Sequence, residues 1–172
     1  MNNDPFPAGV LLQVMAGDTG TIELILGFIA IILCLLISAL MSGSEVAFFS
    51  VSPASIEKLR KNPTYTNTAI LRLLENPEKL LATILITNNF VNIGVVVIST
   101  WLSSELFDLA SNPLLAFVVQ GVVITFLILF FGEIFPKAYA TQFGLKMASF
   151  MAVPMNFHQR LKLPFSYILV KI

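Results

Sequence analysis

The sequence predicts an all-helical membrane domain, and three observations carry that reading. First, 56% of the 172 residues are hydrophobic and only 12% are charged, about half the charged share of a soluble domain. Second, three stretches hold no Asp, Glu, Lys or Arg: Leu24–Ser44, Leu80–Ser104 and Leu109–Gly132. Third, each is at least as long as the roughly 20 apolar residues a helix needs to cross a hydrocarbon core about 30 Å thick. The mean hydropathy is +0.86. Only helices and closed barrels cross a bilayer, and nothing here alternates like barrel strands. Ten basic residues balance ten acidic ones. The composition therefore excludes a disordered chain, a nucleic-acid binder working through a basic surface, and an ordinary soluble enzyme. One cysteine, Cys34, excludes an intramolecular disulfide framework and a cysteine zinc cluster.

Each span has its own start and stop signals. Residues 1–23 contain no Lys or Arg, so the basic region of a signal peptide is absent and the first apolar run reads as a permanent span. Its expected limits are 22–49. Asn76-Pro77-Glu78 reads as N-cap, first-turn proline and first-turn acid of a second span, 78–104. Trp101 suits the interface near its far end. Asn112-Pro113 opens the third span, 112–135, in the same way. Between spans one and two, Ser52-Pro53 starts a short helix that Asn62-Pro63 ends, and Thr68–Leu74 suggests another.

The tail from 138 to 172 is expected to be a juxtamembrane belt of two short amphipathic helices, Met147–Phe157 and Phe165–Val170. A fourth span would place Arg160 and Lys162 near the bilayer centre, at about 2.5–3.5 kcal/mol each on insertion scales. Pro154 and Pro164 would interrupt it. Cytoplasmic loops are enriched in Lys and Arg. Lys58, Arg60, Lys61, Arg72 and Lys79 lie between spans one and two, and Lys137, Lys146, Arg160, Lys162 and Lys171 follow span three. All ten fall on one side if the N-terminus is outside and the C-terminus is cytoplasmic.

A span that only anchors needs Leu, Ile and Val. These spans carry more. The first ends in Ser42-Gly43-Ser44-Glu45, the second contains Asn88-Asn89 and Asn92, and the third ends in Gly132-Glu133-Ile134-Phe135-Pro136-Lys137. Asn88 and Asn92 share a helix face, and Asn89 points away from it. An amide in lipid must find a partner. Two readings of these amides stand: glue between helices, or ligands. Alternating span directions bring all three clusters to the inner half of the membrane. Asn88 lies about 12 Å above the start of its apolar run. Hydroxyls, amide oxygens, one carboxylate and freed carbonyls form an all-oxygen set, which suits magnesium, calcium or sodium. Pro136 leaves the Gly132 carbonyl without a helical donor, and Gly43 loosens the first span. The same two residues also suit plain helix ends. Glu133, among apolar neighbours, invites a cation or a Lys partner. Glu45 and Lys137 read as boundary charges. Cys34 and the Phe126–Phe135 run read as packing, and His158 as an interfacial residue. No nucleophile–base pair or phosphate-binding glycine loop is visible, so no enzyme activity is expected.

Taken together, Ser42-Gly43-Ser44-Glu45-Val46-Ala47-Phe48-Phe49-Ser50, Asn88-Asn89-Phe90-Val91-Asn92-Ile93 and Gly132-Glu133-Ile134-Phe135-Pro136-Lys137 resemble the membrane domain of the CorC/cyclin-M family of magnesium transporters. A subgroup linked to bacterial gliding motility also looks similar. The resemblance implies three spans, an external N-terminus, a juxtamembrane belt, an inner-membrane homodimer, and cytosolic regulatory domains beyond this chain. It also implies a transported Mg²⁺ ion with possible coupling to Na⁺. Carried onto this chain, the ligand candidates are Ser42 and Ser44 with the Gly43 backbone, Asn88 and Asn92, and Glu133. Asn89 lies in the motif on a different face. Small residues often follow the Pro-Lys pair in the family, and Ala138-Tyr139-Ala140 stands there in this chain. The expected function is Mg²⁺ export by alternating access. The alternative is a membrane scaffold whose Asn residues only hold helices together.

Overall fold

A computed structural model describes residues 8–107 and 112–161, with side chains described over 20–107 and 112–158. Its order is α1 (Ala8–Phe49), α2 (Pro53–Lys61), α3 (Tyr65–Leu74), α4 (Pro77–Leu106) and α5, which starts at Pro113 and runs to Leu161. No strand occurs among the described residues. Three segments are long and apolar enough to cross a membrane: Gly20–Phe49, Pro77–Leu106 and Pro113–His158. The protein is thus an all-α membrane protein. Each 30-residue span measures about 45 Å, so its ends reach past the hydrocarbon.

The starts follow from local chemistry. The Ser52 hydroxyl accepts the Ser55 N–H at 3.2 Å, with Pro53 opening α2. Thr64 accepts the Asn67 N–H at 3.1 Å at the start of α3. Asn112 Oδ1 accepts the Leu115 N–H at 3.0 Å, ahead of Pro113. Asn76 occupies the cap position of α4, but its side chain makes no cap bond. Pro77 and Glu78 open that helix without it.

α1 packs against both α4 and α5. Its opposite face, with Ile25, Leu26, Ile29, Ile32, Leu33 and Leu36, stays exposed. An apolar surface of that length is what a bilayer covers. The main core lies at one end of the bundle, hereafter the basic end. There Phe48, Ile70, Leu73, Leu80, Ile84 and Met155 are at most 1% exposed. A smaller cluster of Val95, Ile124 and Ile128, with Ile31, Cys34 and Leu35 against it, fills the bundle farther along.

α5 departs from the expected end of the third span at Pro136. The helix passes through Pro136 and breaks seven residues later, where Phe143 leaves helical geometry at φ −120° and ψ 32°. Immediately before the proline, Ile128–Ile134 is π-helical, and the Phe135 N–H bonds the Phe130 carbonyl. That bond reaches one residue farther back than in an α-helix, and the widened turn makes room for the proline ring. Beyond Phe143 the C-terminal arm folds under the bundle. Ala148, Met151, Ala152 and Met155 join the core of α1 and α3, and Asn156 Nδ2 donates to the Ala69 carbonyl at 3.1 Å. Pro154 sits inside this arm without ending it. The second expected belt helix, Phe165–Val170, lies outside the described residues, as do Lys162, Pro164 and Lys171.

The arm and the short helices share one core, so truncating a residue at its centre should loosen all of them. Phe48→Ala is expected to cost about 3–5 kcal/mol, read as a lower unfolding midpoint in detergent. A midpoint equal to wild type would contradict this packing.

Candidate functional site

One side chain from α1 meets α4 and α5 together. Ser38 Oγ lies 2.7 Å from Asn88 Oδ1 and 2.8 Å from Asn92 Oδ1. The Gly132 carbonyl of α5 lies 3.5 Å from the same hydroxyl. Ser38 is fully buried. A hydroxyl has one hydrogen, so it can satisfy one of these three acceptors at a time.

The orientation of the Asn92 amide has a cause. Its Nδ2 donates to Glu133 Oε1 at 3.4 Å, which turns Oδ1 toward Ser38. One turn along α1, Ser42 Oγ is buried and has no hydrogen-bond partner among the described residues. The polar groups gathered here are thus neutral oxygens with one carboxylate near them. Among the described residues, no group of three His, Cys, Asp or Glu could hold a metal. Such a set suits a hard cation.

Glycine lets the helices come this close. A Cβ on Gly132 would stand 2.8 Å from Ser38 Oγ. The α5 backbone therefore offers its carbonyl to α1 only because no side chain intervenes. Gly43 has a different task. A Cβ there would meet Met147 Cε at 2.7 Å and the Pro136 carbonyl at 3.4 Å, so Gly43 seats α1 on α5 nearer the basic end.

The remaining candidates divide. The Ser44 hydroxyl returns to the Leu40 carbonyl of its own helix at 2.6 Å and does not face the cluster. Asn89 is exposed. With Asn92, Ile93, Val96, Val97 and Ile128 it lines an open crevice of about 370 Å³. Pro136 is buried beside Gly43. Lys137 Nζ pairs with Glu45 Oε2 at 3.0 Å, tying α5 to α1 at the basic end. These side chains are 40% and 30% exposed, so solvent screening keeps the pair's contribution small.

The structure therefore joins Asn88, Asn92, Gly132 and Glu133, and it places Ser38 at their centre. Sequence reasoning passed over Ser38 because it sits inside an apolar run, ahead of the Ser-Gly-Ser cluster. The signal was present: Ser38 lies one helical turn before Ser42, on the same face. Ser38→Ala should lower stability by about 1 kcal/mol, the scale of intramembrane hydrogen bonds. Ser44→Ala should stay within about 0.5 kcal/mol, since only a bond within its own helix is lost. Equal losses in reversible unfolding would contradict this assignment.

The chain is similar to known proteins. The family model for the cyclin M transmembrane N-terminal domain matches residues 28–172. A UPF0053 protein of Haemophilus influenzae is 35% identical over 123 residues, covering 72% of this chain and 28% of that protein. The UPF0053 inner membrane protein YfjD of Escherichia coli is 29% identical, covering 77% of this chain and 30% of its own length. The metal transporter cnnm-2 of Caenorhabditis elegans is 31% identical over 147 residues, covering 82% of this chain and 18% of that protein. The chain spans less than half the length of the curated relatives it matches. With a family model covering most of its length and motifs in all three spans, the chain belongs to the CorC/cyclin-M family.

Proposed function

We propose that the protein carries Mg²⁺ across the membrane, binding it where α1, α4 and α5 meet. The observation that carries this reading is the shortage of hydrogens at Ser38. Three carbonyl oxygens face one hydroxyl hydrogen, and the Ser42 oxygen one turn away has no partner among the described residues. A cation supplies positive charge to such a set without needing hydrogens. Neutral oxygens with one carboxylate suit a hard cation such as Mg²⁺. A similarity to a metal transporter, cnnm-2, points the same way.

The residues then have distinct roles. Asn88, Asn92, Ser38 and Ser42 offer side-chain oxygens, Gly132 offers its carbonyl, and Glu133 supplies the one charge. Neutral dipoles with a single carboxylate keep binding moderate, which a carrier needs for release. The proposed cycle is alternating access. The ion enters from the basic end, exchanges part of its water for the cluster, and leaves outward, with sodium as the proposed coupling ion. The protein is proposed to work as a homodimer in the bacterial inner membrane, N-terminus outside and C-terminus cytoplasmic. The similarity to the inner membrane protein YfjD supports that location.

In liposomes with a trapped magnesium dye, the purified protein should pass Mg²⁺, and an opposing sodium gradient should change the rate. Magnesium should raise its unfolding temperature. Asn92→Ala and Glu133→Ala should abolish that rise while the dimer persists in light scattering. An unchanged rise in both variants would contradict the site and favour the scaffold reading.

A further inference from the structure

Outward of the cluster, away from the basic end, the seam between α4 and α5 does not become purely apolar. Ser99 and Ser103 on α4 are 7% and 8% exposed. Neither hydroxyl makes the usual bond to the carbonyl four residues back. This is unusual for hydroxyls in a buried helix. Ser44, buried on α1, and Thr83 and Thr87, buried on α4, each bond the carbonyl four residues back.

α5 adds an amide at the same level. Val95 of α4 packs with Ile124 of α5, and the two helices run antiparallel. One turn outward from Val95 is Ser99, and one turn outward from Ile124 is Gln120. α4 packs against the segment that carries Gln120. Gln120 is half-buried there. Amides and hydroxyls at an apolar seam within a membrane are costly unless they find partners, and leucine would fill the space at no such cost.

The backbone marks this level a second time. α5 contains two π-helical segments, Phe117–Val123 and Ile128–Ile134. One holds Gln120, and the other holds Gly132 and Glu133. π turns inside α-helices recur at functional sites.

We propose that Ser99, Ser103 and Gln120 form an outer station on the ion's route, about 10 Å beyond Asn92, which takes the cation in hydrated form. This inference rests on the transport reading above. The chemistry differs from that of the inner cluster. No carboxylate lies among these three residues, and neutral hydroxyl and amide oxygens suit the waters around Mg²⁺ better than the bare ion. Magnesium dehydrates reluctantly and keeps several waters. A station that accepts hydrogens from those waters lets the ion regain its shell before leaving.

Two measurements test this in the purified protein. In dye-loaded liposomes, Gln120→Met combined with Ser99→Ala and Ser103→Ala should cut Mg²⁺ flux at least tenfold. The rise in unfolding temperature with magnesium chloride should remain, because the inner cluster is untouched. Gln120→Asn should recover part of the flux. If wild type moves Mg²⁺ and the triple variant moves it equally fast, the outer station is wrong and the transport reading stands. If wild type moves none, the transport reading fails and the station falls with it. A second variant covers a triple variant that does not fold. Gln120→Cys in a Cys34→Ala background should react with a membrane-impermeant thiol reagent added opposite the basic end, and magnesium chloride should slow the reaction. No reaction from that side, or one indifferent to magnesium, would overturn the proposal.

Discussion

A hydroxyl has a single hydrogen to give, and around Ser38 the fold assembles three carbonyl oxygens that could each take it. In water the deficit would be made good by solvent. Between apolar helices it persists, because an unmet polar group there costs several kcal/mol, or about that order. Much of the surrounding architecture follows from holding these oxygens together. α1 must contact both α4 and α5 at one level, which places it between them. Gly132 must lack a side chain, since a Cβ would collide with Ser38 Oγ. Glu133 must sit within reach of the Asn92 amide nitrogen, so that the amide turns its oxygen inward.

The parts that hold the oxygens in place lie nearer the basic end. Gly43 allows α1 to rest on α5, the Glu45–Lys137 pair ties the same two helices, and Phe48 with the arm of α5 closes the core beneath them. The polar cluster itself supplies little net stability, because its bonds leave acceptors over. The packed end supplies the rigidity instead. This division lets a site be strained in hydrogen bonding without loosening the bundle. It also explains why α5 runs through Pro136. Ending the helix there would detach the arm that completes the core.

Much of this was legible in residue order. Charge-free runs revealed the spans, and Asn-Pro and Ser-Pro pairs marked most of the helix starts. The i, i+4 spacing of Asn88 and Asn92 showed one polar face. Three things were not legible. Ser38 looked like one small residue within an apolar run, because its importance lies in what two other helices bring to it. Ser44 looked equivalent to Ser42, yet the helix rotation between them sends its hydroxyl back to Leu40. Pro136 looked like a stop, yet the helix runs through it behind a π-helical segment. Each depends on geometry that a linear pattern does not contain.

The most direct test is a crystal structure grown with Mn²⁺ in place of Mg²⁺, read by its anomalous signal. One intramembrane peak is expected, bonded to oxygens of Asn88, Asn92 and Glu133, with Ser38 and the Gly132 carbonyl around it. No peak there, with Ser38 still hydrogen-bonded to the two amides, would contradict the proposed site.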